Sequence, residues 1–170
     1  PMSMKAGAPV RDALMVPEQQ ASGALKDRQQ RSGLPGSVLW EEQREDGFLL
    51  STDSSRMNRE RMHEWLSKDA YWALGLEREV LDACVDRTLY FGVFLGNEQV
   101  GCARVLTDYA RFAYVGDVYV AREYRGKGLG KWLIEGMLKH PALATVSRWL
   151  LGTRDAHSLY ERYGFQRAEA

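Results

Sequence analysis

The chain has 170 residues, 45% of them hydrophobic and 11% aromatic, a composition that suits one globular domain rather than a disordered chain. Its 23 basic and 23 acidic residues cancel, so no net charge draws it to nucleic acid or to an anionic membrane. No apolar stretch approaches the length of a membrane span, and neither partner is expected.

Cys84 and Cys102 are too few for a disulfide framework or a structural zinc site, and both read as reduced core residues. His63, His140 and His157 are scattered, without metal-ligand spacing, so no metal is expected. Near the N-terminus only Ala13-Leu14-Met15-Val16 is apolar, too short for a signal peptide, and the expected compartment is the cytoplasm.

Residues 1–36 are polar, with Gln19-Gln20 and Gln29-Gln30, and close on Gly33-Leu34-Pro35-Gly36. They are expected to be a flexible N-terminal extension, with room for a short helix after Pro17. Residues 37–170 read as the folded domain. Gly47 to Thr52 is a first strand. Asn58 is placed to cap a helix that carries Met62, Trp65 and Leu66 on one face. A second helix starts at Glu77-Arg78-Glu79, with Val80, Leu81, Cys84 and Val85 at helical spacing. Leu89 to Leu95 and Gln99 to Thr107 read as a hairpin turned at Gly96-Asn97. Asp108 to Arg111 turns the chain into a strand that runs through Tyr114 to Val120. A glycine-dense turn, Arg125 to Gly130, then opens an amphipathic helix, Lys131 to Leu138, which stops near His140-Pro141. Arg148 to Thr153 is another strand, Asp155 to Tyr163 a short helix, and Phe165 begins a last strand. The order is that of an α+β fold with a mixed sheet.

The strand–turn–helix around Arg125-Gly126-Lys127-Gly128-Leu129-Gly130 carries the most chemistry. Unpaired amides and the helix dipole make such an N-terminus attractive to anions, and the glycines let an anion approach the backbone. Arg125, Lys127 and Lys131 add full charges, so the turn reads as a phosphate cradle. It is not a Walker loop, because Trp132 stands where Ser or Thr would hold magnesium. Its glycines, spaced by two and late in the chain, also fail the dinucleotide fingerprint.

The turn resembles the pyrophosphate loop of the GNAT superfamily of N-acetyltransferases, Arg/Gln-x-x-Gly-x-Gly/Ala, with Arg125, Gly128 and Gly130 at the fixed positions. A second segment, Ala156-His157-Ser158-Leu159-Tyr160 followed by Gly164-Phe165, resembles that family's C-terminal signature in the expected order. The resemblance covers about residues 47–170. It implies a mostly antiparallel central sheet flanked by helices, and acetyl-CoA as cosubstrate. Arg125, Gly126, Lys127, Gly128, Leu129, Gly130 and Lys131 would hold its pyrophosphate, and the backbone of Val118, Tyr119 and Val120 its pantetheine arm. Thr153 stands where many members carry Asn on that arm. The family's sheet usually ends with one more strand after the Gly-Phe strand. Here that final strand is absent, truncated or supplied from elsewhere, and the edge left open suits pairing with a second copy as a homodimer.

Tyr160 aligns with the tyrosine that commonly protonates the coenzyme A thiolate, and its usual pKa of about 10 exceeds the thiol's roughly 8.5. Asp117 interrupts an apolar strand beside the expected acetyl site. It reads either as a collector of the amine proton or as a structural carboxylate at a strand bulge, for which Gly116 is the expected kink. The resemblance puts the acceptor between the first two helices and the splayed strands, where His63, Tyr71 and Trp72 are candidate substrate contacts. Asp155, His157 and Ser158 lack a nucleophile elbow and do not read as a hydrolase triad. No cysteine sits where a covalent acetyl-enzyme would need one. The expected activity is direct transfer, in a ternary complex, to a primary amine of a small molecule or peptide. A non-catalytic acyl-CoA-binding or sensor domain is the alternative.

Overall fold

The computed structural model describes residues 13–16 and 38–167. In chain order these form β1 (Ala13–Val16), β2 (Glu41–Gln43), β3 (Phe48–Ser51), α1 (Arg59–Lys68), α2 (Arg78–Arg87), β4 (Leu89–Leu95), β5 (Glu98–Thr107), β6 (Phe112–Val120), α3 (Leu129–Lys139), β7 (Arg148–Gly152), α4 (His157–Glu161) and β8 (Gln166–Arg167). One sheet has the order β2-β3-β4-β5-β6-β7-β1-β8. Among the described residues only β6 and β7 pair in parallel, so the sheet is mixed and mostly antiparallel, as the sequence implies.

Local signals explain most boundaries. The Asn58 side chain accepts from the Arg61 amide at 3.0 Å and starts α1. Gly96, at φ +59, makes the tight β4–β5 turn. Alternation along the strands then sorts the core to two faces. Phe91, Ala103, Val105 and Val115 pack with Leu133 and Ile134 of α3 on one side. Tyr90, Phe94, Cys102 and Tyr119 pack with Met62 and Leu66 of α1 and Leu81 and Val85 of α2 on the other. At Gly136 a Cβ would overlap Leu50 Cδ2, so the missing side chain is what lets α3 lie this close to the sheet.

Two features differ from expectation. Ala13–Val16, inside the stretch expected to be flexible, is a strand: Leu14 is fully buried, and β1 pairs antiparallel with both β7 and β8. Burial of one leucine and two ladders of backbone bonds hold it there. The chain's own N-terminal strand therefore lies between β7 and β8, and β8 forms the edge. The helix considered after Pro17, and the rest of residues 1–36, lie outside the described residues. Second, the chain leaves regular β6 geometry at Asp117 (φ +50) and not at Gly116. Asp is among the few non-glycine residues that tolerate this left-handed region.

Candidate active site

Gly126 (φ +78) and Gly128 (φ +74) give the loop before α3 two left-handed residues, so it curls back and presents the first amides of the helix. The Gly128 carbonyl accepts from the Trp132 amide at 3.0 Å, closing the first turn. A Cβ at Gly126 or Gly130 would meet nothing within 4 Å, so the backbone lies open there to an incoming group. This open helix terminus fits a pyrophosphate. Arg125 is anchored beside this terminus: its Nε donates to the Val120 carbonyl at 2.9 Å, and its guanidinium sits 5.3 Å from the Tyr119 ring centroid. Lys127 is exposed, and its carbonyl accepts from Arg44 at 3.1 Å.

The second element is the bulge in β6. Cys102 pairs with Tyr119 and Arg104 with Gly116, so Asp117 and Val118 together face Ala103 alone. Beyond Val115 the β6–β7 pairing stops, leaving the strands splayed. The Asp117 carboxylate accepts from Tyr90 Oη at 2.9 Å and Trp72 Nε1 at 3.3 Å, and lies 3.0 Å from Arg104 Nε. Burial, then the Asp117 charge, drive the Tyr90 phenol and the Cys102 thiol well above their ordinary ranges.

Loop and bulge enclose a cavity of about 500 Å³. Arg125, Gly126, Gly128, Leu129, Gly130 and Lys131 line its loop end, and Val118 and Val120 its strand wall. Thr153 and Tyr160 close the far side. Thr153 Oγ1 accepts from the Ala156 amide at 3.1 Å. Tyr160 is 6% exposed, its ring is 5.8 Å edge-on from Phe165, and its hydroxyl has no hydrogen-bond partner among the described residues. Burial, and then Tyr71 and Asp155, push its phenol up to about 12. The Tyr119 side chain faces the α1 side instead, with its hydroxyl 2.7 Å from Asp69 Oδ2 and its ring stacked on Trp65. Arg122, and then that hydroxyl, hold the Asp69 carboxyl down at about 2.

Of the three expected acceptor contacts, two reach this cavity. Tyr71 and Trp72 meet edge to face at 5.0 Å, and both line it. The Tyr71 ring lies 3.9 Å from the Arg154 guanidinium, and its hydroxyl accepts from the Arg154 amide at 3.2 Å. His63 does not reach it: its Nε2 is 2.8 Å from the Leu76 carbonyl, in a hollow formed with Ser67 and Glu77. The segment between α1 and α2 folds back over that ring and turns it from the splay. Tyr90 and Arg104 join the site without a motif to mark them; the signal for them in the sequence is a lone arginine and a lone aspartate on neighbouring apolar strands. Among the described residues no group of three His, Cys, Asp or Glu is placed to hold a metal ion. No helix there is long and apolar enough to cross a membrane.

Comparison with known proteins places the fold and the family. A solved GNAT-family protein from Xanthomonas campestris pv. campestris is 42% identical, with a TM-score of 0.70 over 71% of this chain and 85% of its own. N-acetylglutamate synthase from Neisseria gonorrhoeae, solved with coenzyme A and N-acetyl-glutamate, shares the fold alone: 17% identity and a TM-score of 0.56, over 65% of this chain and 26% of its own. A protein of Gibberella zeae described as an acetyltransferase is 28% identical over 107 residues, which are 52% of this chain and 60% of that relative. The acetyltransferase (GNAT) family model matches residues 59–165, the span that holds the bulge, the glycine-rich loop and Tyr160, and the chain belongs to that family.

Proposed function

We propose that the chain is an acetyl-CoA-dependent N-acetyltransferase that transfers the acetyl group directly to a primary amine in a ternary complex. One observation carries this reading: an open helix N-terminus, a splayed strand and a tyrosine hydroxyl without a partner among the described residues converge on one cavity. The loop from Arg125 to Lys131 binds the pyrophosphate through backbone amides. Backbone groups of Val118 to Val120 hold the pantetheine and polarise the thioester carbonyl, and Thr153 supports the arm from β7. The amine nitrogen bonds to the acetyl carbon, the carbon–sulfur bond breaks, and the nitrogen's proton leaves through water. Tyr160, protonated throughout the neutral range, donates to the departing sulfur and is reprotonated from solvent. Asp117 is a positioning residue in this scheme, since Tyr90, Trp72 and Arg104 already engage its oxygens.

Calorimetric titration with acetyl-CoA, with desulfo-CoA and ATP as controls, tests the reading together with thiol release in the presence of amines. Saturable binding and amine-dependent release support it. Binding without release for any amine points to an acyl-CoA sensor, and no binding by folded protein removes the basis for both.

A further inference from the structure

A second cavity, of about 330 Å³, opens on the α2 side of the β6 bulge. Trp72, Val115, Gly116 and Gly152 line both cavities, so the two meet where β6 and β7 part. One wall is apolar, from Leu76, Val80 and Leu81. The strand wall carries a single charge pair, Arg104 and Asp117, with side chains only 23% and 12% exposed.

That pair is unevenly satisfied. Asp117 accepts from Tyr90 and Trp72 in addition to facing Arg104. The Arg104 Nε–H, though 3.0 Å from the carboxylate, is not aligned for a hydrogen bond. Nη1 finds Cys84 Sγ at 3.2 Å, a weak acceptor, and Nη2 has no acceptor among the described residues. Gly116 leaves room beside the guanidinium, since a Cβ there would stand 3.7 Å from Nη2 and 3.9 Å from Nε, at the junction of the cavities. A guanidinium with under-used donors, mostly out of water, favours an acceptor with two parallel oxygens. Charge balance points the same way. Arg104 and Asp117 already neutralise each other, so a simple alkylammonium would leave one uncompensated positive charge in a place of poor hydration. A zwitterion leaves none.

We propose that this cavity receives the acceptor and that the acceptor is an amino acid with an apolar side chain. Its carboxylate takes the Nη1–Nη2 edge of Arg104. Its amine lies at the Gly116 junction, facing the acetyl site, and its side chain lies against Leu76, Val80 and Leu81. The proposal rests on the acetyl transfer inferred above.

The test compares matched pairs on the full chain: L-phenylalanine with phenethylamine, and L-leucine with 3-methylbutylamine. Thiol release at saturating acetyl-CoA should show kcat/KM higher for each amino acid by about 10- to 100-fold, the range set by one charge-assisted pair. Arg104→Gln should collapse that ratio chiefly through KM, and Arg104→Lys, which keeps the charge but loses the fork, should leave an intermediate one. Equal kcat/KM within each pair for the parent protein overturns the proposal, and does so without any variant having to fold. Calorimetry of the same pairs, with and without desulfo-CoA, separates the two levels of inference. Amino-acid binding without turnover would refute the transferase reading and keep the carboxylate site, whereas turnover indifferent to the carboxylate would do the reverse.

Discussion

Arg44 Nη2 donates to the Lys127 carbonyl at 3.1 Å, tying the β2–β3 turn to the glycine-rich loop 83 residues later. The same guanidinium pairs with Asp46 and lies 5.2 Å from the Trp132 ring centroid in α3. Trp132 Nε1 in turn donates to Glu42 Oε1 at 2.6 Å. A loop with two left-handed glycines gains much of its order from such a brace. Arg44→Ala should therefore raise the KM for acetyl-CoA roughly three- to tenfold, equivalent to one hydrogen bond of about 1 kcal/mol, with kcat nearly unchanged. Steady-state kinetics with acetyl-CoA as the varied substrate checks it, and an unchanged KM would show that the loop orders itself.

Gly130 allows the cradle to be tested against a bare helix cap. Its φ is not positive, and a Cβ there meets nothing within 4 Å in the free protein. Gly130→Ala should stabilise α3 by about 0.5–1 kcal/mol, because alanine loses less backbone entropy than glycine. If an anion packs on this backbone, the same methyl group should weaken coenzyme A binding by about tenfold or more. Thermal melting and calorimetry on one variant should move in opposite directions. A higher melting temperature with unchanged coenzyme A affinity would count against the cradle.

The glycine-rich turn and its helix are legible in the sequence because all their parts are local: a strand, glycines at fixed spacing and an apolar helical face lie within one short stretch. The same holds for the Asn58 cap and the Gly96-Asn97 turn. The sequence points to Gly116 for the bulge, one residue early, since glycine is the usual left-handed residue, whereas Asp117 takes that role while facing Arg104, Tyr90 and Trp72 at once. Those partners arise from register: Tyr90 stands opposite Arg104, and Arg104 opposite Gly116, across three strands. No spacing along one strand discloses such a row. His63 failed for a related reason, because the segment between α1 and α2 decides which face of α1 meets the cavity.

Leu14 shows the largest gap between sequence and structure. Four apolar residues in a polar stretch give too short a signal for a strand, and their partners, β7 and β8, lie more than 130 residues away. Yet Leu14 is fully buried in the main core. Leu14→Ala should cost about 2–5 kcal/mol in urea unfolding, the usual range for a buried leucine. A mobile arm would make the substitution silent. Loss of β1 would also leave the β7 and β8 edges unpaired, so aggregation should accompany the destabilisation.

Tyr160 makes two separable predictions. As the proton donor to sulfur, its change to phenylalanine should lower kcat by about 10²-fold and leave the KM for acetyl-CoA nearly unchanged. A variant with parental kcat would remove the acid role. Its phenol, pushed up to about 12 in the fold from an ordinary value near 10, also links stability to pH. The stabilisation is fully present below pH 10 and is lost as pH rises toward 12. Thermal midpoints of the parent should fall across that window, and Tyr160→Phe should fall less steeply. Tyr90, raised further by burial and Asp117, leaves part of the slope in place.

His140 governs the acid side. It is 2% exposed, its Nε2 lies 2.9 Å from the Val38 carbonyl, and its Nδ1 accepts from the Ala142 amide at 3.1 Å. Those partners fix the neutral ring with its proton on Nε2, because a carbonyl can only accept and an amide can only donate. Protonation would put a second N–H against the Ala142 amide, and burial already holds the His140 pKa below its ordinary 6.5. The folded state thus binds fewer protons than the unfolded state below that value, so stability is complete above pH 6.5 and declines as pH falls through the lowered pKa. Urea midpoints should drop as pH falls below 6.5, before the carboxylates titrate. His140→Asn keeps an acceptor for the Ala142 amide and removes the titrating ring, so its midpoint should be lower at pH 7.5 but nearly flat over that interval. A variant whose midpoint declines as steeply as the parent's would show that protonation elsewhere limits the fold.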